Sequence, residues 1–148
     1  MRNDTAHDHS WIAAVCRSVQ VTAAADFWNP TAFRAAASRQ DPEFVDHLDQ
    51  IVAAMDSATA ALDPSRLADL DVAFHEAVIA ASSHTQSLQI WRLIQPRVRA
   101  YFLRDAPHHD DPTAVLAQHR ELLQALRSGD PERAQAEIEK HISTYLED

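Results

Sequence analysis

Apolar residues recur along this chain three and four positions apart in long blocks, the spacing of helices with one buried face rather than the alternation of strands. After Pro42, the residues Phe44, Leu48, Ile51, Val52, Met55 and Leu62 fall on one side of a predicted helix, with Asp46, Asp49 and Asp56 mostly elsewhere. The next block, from Asp63 to about Ser82, carries Leu67, Leu70, Asp71, Phe74, His75, Val78 and Ile79. Two later stripes follow the same rule: Val115, Leu116, His119, Leu122, Leu123 and Leu126, then Ala134, Ile138, His141, Ile142 and Tyr145. Trp11, Ile12, Val15, Cys16 and Val19 predict a helix over about residues 10 to 27, and a short one follows Asn29. A helix over about 86 to 104 contains Pro96, which removes one backbone hydrogen bond and predicts a kink near Gln95.

The polar punctuation agrees with these stripes. Five of the seven prolines follow Asn or Asp, at Pro30, Pro42, Pro64, Pro112 and Pro131. An Asx side chain accepts from the free amides of a first helical turn, and proline at the first helical position gives up a donor that has no partner there, so each pair predicts a helix start. Ser128-Gly129-Asp130-Pro131 reads as a stop and a restart, glycine supplying the left-handed residue after one helix and aspartate the cap of the next. The expected fold is all-α, an antiparallel bundle of six or seven helices forming a single domain over residues 1–148.

Composition supports this reading and narrows function. The chain has 148 residues with a single glycine, and few β-branched runs bounded by turn signals, which argues against a sheet. Its 22 acidic residues against 13 basic ones give a formal charge of −9, so a phosphate backbone is repelled and no direct binding of nucleic acid by this chain is expected. One cysteine, Cys16, excludes an internal disulfide framework. The absence of a long apolar run or a signal-peptide layout predicts no membrane association and a cytoplasmic location.

The stripes contain four residues that do not belong in an apolar interior. Asp71 and His75 lie one turn apart on the same buried face, while His119 and His141 each interrupt an aliphatic stripe on another helix. A buried ionisable group without a partner costs several kcal/mol, roughly, and one bound metal ion would account for all four together. Three imidazoles and a carboxylate suit a divalent transition metal, zinc foremost, with nickel, manganese, iron and cobalt also compatible. His7, His9, His47, His84, His108 and His109 fall in termini, turns or polar faces and are read as solvated.

Asp71-Val72-Ala73-Phe74-His75, the turn after Ala80-Ala81-Ser82, Gln118-His119-Arg120-Glu121-Leu122-Leu123, Ser128-Gly129-Asp130 and the late His141 occur in the order found in one known family. From about Pro42 to Tyr145 the chain resembles the ligand-sensing C-terminal domain, the FCD domain, of the FadR subgroup of GntR-family transcription regulators. The resemblance implies an antiparallel helical bundle whose metal, held by Asp71, His75, His119 and His141, helps bind a small organic acid in a central cavity. It also implies a homodimer, or association with a DNA-binding domain. The winged helix-turn-helix domain of that family has no counterpart in residues 1 to 40, and His84 stands where the family usually has asparagine. A carboxylate effector needs positive charge beyond the metal, and Arg97 and Arg104, a turn either side of Tyr101, are the expected ligand-binding residues.

These readings favour a metal-dependent sensor of small carboxylates and not an enzyme. The alternative is a metal-dependent helical-bundle hydrolase or oxygenase, for which Glu76 and Glu121 would be the nearest bases, although both leave their helices about 100° from the neighbouring histidine. A helical interaction module without metal is the third possibility.

Overall fold

A computed structural model describes residues 30–105 and 113–146. Six helices make up its regular structure: α1 (Pro30–Arg39), α2 (Pro42–Ala60), α3 (Pro64–Ala81), α4 (Thr85–Asp105), α5 (Thr113–Arg127) and α6 (Pro131–Leu146). No strand occurs among the described residues. The helix expected over about 10 to 27, the Asn29 cap, the loop with His108 and His109, and the Asp111-Pro112 start lie outside them.

Helix starts form as the Asx-Pro pairs predict. Asp41 accepts from the amide of Glu43, Asp63 from that of Arg66, and Asp130 from those of Glu132 and Arg133. At Asp63 such a cap contributes about 1 kcal/mol. The α4 helix runs unbroken through Pro96 from Thr85 to Asp105. Leu62 departs from expectation: it is 77% exposed at φ 53° and belongs to the turn, not to the buried stripe of α2. Its amide donates to the Thr59 carbonyl and that of Asp63 to the Ala58 carbonyl, the paired closure that ends a helix with one left-handed residue.

The order of packing follows from the apolar stripes. Helix α3 lies against α2, α2 against α5, α5 against α6, α6 against α1, and α1 back against α3, which closes a ring of five helices; α4 is added outside the ring along α3. Asp49 with Arg127 and Asp56 with Arg120 tie α2 to α5, and Asp69 with Arg99 and Glu76 with Arg92 tie α3 to α4. In both pairs of helices one number rises as the other falls, so the neighbours run antiparallel. Inside the ring Leu48, Met55, Phe74, Val78, Leu122, Leu126 and Ile138 are fully buried, each side chain worth about 1.5–3 kcal/mol. A smaller cluster of Val72, Ile79, Trp91 and Val98 seals α4 onto α3.

Candidate metal centre

The polar residues of the stripes converge because three helices face the same interior. The buried side of α3 includes Leu67, Phe74 and Val78, and it brings Asp71 and His75 inward with them. His119 comes from the buried side of α5, and His141 follows Ala134 and Ile138 on α6. All four are buried, from 0% exposure at His119 to 5% at Asp71. One ligand atom from each lies within 4.8 Å of those of the other three. The histidine rings are mutually close, with centroids 5.3 Å apart for His75 and His141, 5.3 Å for His119 and His141, and 5.6 Å for His75 and His119.

One hydrogen bond sets the chemistry of the group. His119 Nδ1 lies 2.7 Å from the carbonyl oxygen of Val115, one turn earlier on α5. A carbonyl only accepts, so Nδ1–H donates, and in the neutral ring Nε2 then presents its lone pair to the cluster. This is how proteins commonly orient a metal-ligating imidazole. His119 Nε2 stands 2.9 Å from Asp71 Oδ1, and His75 Nε2 stands 3.7 Å from the same oxygen. Despite the short distance, neither His119 Nε2 nor Asp71 Oδ1 has a hydrogen bond of acceptable alignment. A carboxylate oxygen and an imine nitrogen this close, both carrying lone pairs, call for positive charge between or beside them. The donor set and the orphaned atoms therefore fit a divalent transition ion.

Electrostatics agree with ligation by neutral imidazole and ionised carboxylate. Burial pushes the Asp71 carboxyl up, but the His119 side chain 2.9 Å away and the positive charge of the His75, His119 and His141 rings in their protonated form outweigh it and hold Asp71 at about 2, below its ordinary 3.8. Burial lowers His75 from 6.5 to about 4 against the opposing pull of Asp71, with His119 adding to the lowering. Burial likewise drives His141 well below its ordinary value, with His119 and His75 acting in the same direction.

Aromatic rings wall the site. Phe74 meets His119 edge-on at 5.0 Å and His75 at 5.8 Å, while Trp91 from α4 and Phe33 from α1 lie 6.0 and 6.4 Å from His75. The sequence reading did not include Phe33, Trp91 or the Val115 carbonyl in the site. Trp91 alone left a trace, as a large apolar residue in register with Val98 on α4. Arg97 and Arg104 are exposed on α4 and are not brought into the buried group. Glu76 faces Arg92 and Glu121 faces Lys140, so both carboxylates are engaged in ion pairs. His47 is exposed and His84 half-buried in its turn.

Residues 29–144 match the model of the FCD domain, and the chain belongs to that family, the ligand-sensing domain of GntR-family transcription regulators. No curated protein matches the chain. Among the described residues, no helix is long and apolar enough to cross a membrane.

Proposed function

We propose that this domain is a metal-dependent sensor of a small organic acid of the FadR type, in which Asp71, His75, His119 and His141 hold a divalent transition ion. The observation that supports it most is the His119 pair of contacts: Nδ1 tied to Val115 and Nε2 aimed at an Asp71 oxygen with which it makes no aligned hydrogen bond. The ion would supply fixed positive charge in an apolar interior, where a carboxylate is otherwise costly to bury. The residues of this chain do the rest. Asp71 offsets part of the ion's charge, the three rings hold its position, and Phe33, Phe74 and Trp91 keep water from the ligand side chains.

Because the ligands come from α3, α5 and α6, occupancy would couple all three helices through one centre. Arg97 and Arg104, two turns apart on α4, complete the proposal as effector contacts near the surface. Signalling would pass to a DNA-binding domain, attached or on another chain, in a cytoplasmic dimer. Titration of zinc-loaded and metal-stripped protein with mono- and dicarboxylates, followed by thermal unfolding, tests the reading. Stabilisation by a carboxylate only when metal is present supports it, and no stabilisation beyond that of chloride at equal ionic strength refutes carboxylate sensing.

A further inference from the structure

Asp71 and His75 occupy one side of α3, and among the described helices none covers the opposite side. There Asp69, Ala73, Glu76 and Ala80 line a groove of about 770 Å³ between α2 and α4. Ala73 and Ala80 are exposed at positions where a surface helix ordinarily carries long polar side chains. Small residues allow another helix to pack at the short end of the usual spacing, roughly 8–10 Å between axes. Val72 and, from α2, Phe44 add an apolar floor.

Charge selects the occupant. Asp41 and Glu43 stand on the α2 wall, and the residues lining the groove include no lysine or arginine. On the other wall Asp69 and Glu76 are already met by Arg99 and Arg92 of α4, so the net negative charge lies on the α2 side. A two-fold contact that laid the α2 wall of one copy along the α2 wall of another would set acid against acid, which opposes that arrangement of a second copy.

We propose that this groove docks a basic amphipathic helix of a partner polypeptide, its small apolar residues against Ala73 and Ala80 and its lysines or arginines toward Asp41 and Glu43. The proposal needs no metal and is tested separately from it. The probe is a labelled peptide of about five helical turns, with lysines flanking an alanine and leucine strip, titrated with the full chain and followed by fluorescence anisotropy. Saturable one-to-one binding is expected, weakened about tenfold by Ala73→Arg with Ala80→Arg and also by Glu43→Lys, and little changed by Glu132→Lys on α6. All four positions are exposed, and Glu43→Lys stands as an independent test should the double variant fail to fold. Lack of saturable binding overturns the proposal, as does equal weakening by Glu132→Lys, which would mark general attraction to an acidic chain. Equal binding of a peptide with glutamates in place of the lysines also overturns it, and so does a dimer in sedimentation that Ala80→Arg dissociates, which would give the groove to a second copy.

Discussion

Replacing His75 with leucine should separate what the buried imidazole costs from what it is for. The ring is 3% exposed, and burial holds it at about 4 in the folded chain against 6.5 when unfolded. A group depressed in this way is protonated more readily in the unfolded state, so unfolding takes up a proton as the solution is acidified. Stability is then highest above about pH 6.5 and falls as pH drops toward 4, by roughly 2–3 kcal/mol at pH 4.5 from His75 alone. His141, lowered in the same direction, deepens the loss. Leucine titrates nothing and is of similar size, so His75→Leu should change metal-free stability at pH 7 by less than about 1.5 kcal/mol. It should flatten the decline to pH 4.5 by about 2–3 kcal/mol. Urea unfolding of metal-stripped wild type and variant at both pH values, followed by circular dichroism, measures this directly. Metal at about one hundred times its dissociation constant should add about 2.7 kcal/mol to the wild type and far less to the variant. A wild type with equal metal-free stability at the two pH values, or a variant with an undiminished decline, would refute the reasoning.

Three other substitutions test the surrounding structure. Gly129→Ala should destabilise by about 1 kcal/mol in thermal or urea unfolding, because Gly129 sits at φ 69° and an added Cβ would meet the Gln40 amide nitrogen at 2.7 Å, a flexible group that can shift. Leu62→Gly should instead stabilise by about 0.5–1 kcal/mol, since an exposed leucine at φ 53° occupies a conformation that glycine adopts without strain. Trp91→Ala removes a fully buried ring from the seal between α3 and α4 and should cost about 3–5 kcal/mol, with weaker metal retention through its neighbour His75.

How far the sequence could be read depended on the range of the forces involved. The stripes of α2, α3 and α5 were legible because helical period and burial act on the same residues, and the caps at Asp41, Asp63 and Asp130 because capping is decided within a turn. The four polar residues were legible because each stands out against an aliphatic face, and their convergence needed only that those faces meet. Leu62 was misplaced because apolarity does not show where a helix stops; the closure onto Ala58 and Thr59 decides that. Arg97 and Arg104 could not be oriented, since apolar residues surround much of α4 and only its packing on α3 fixes its rotation. The groove was invisible for a related reason. Ala73 and Ala80 read as ordinary helix formers until α2 and α4 stand on either side of them.

The central claim, that Asp71, His75, His119 and His141 are buried together to hold a metal, is tested most directly by elemental analysis of gently purified protein beside His119→Ala. About one divalent transition ion per wild-type chain, zinc foremost, is predicted, with loss of that ion in a variant that keeps its helical content. Wild type that is fully folded without stoichiometric metal, and gains no stability when zinc, nickel, manganese, iron or cobalt is added, would contradict it.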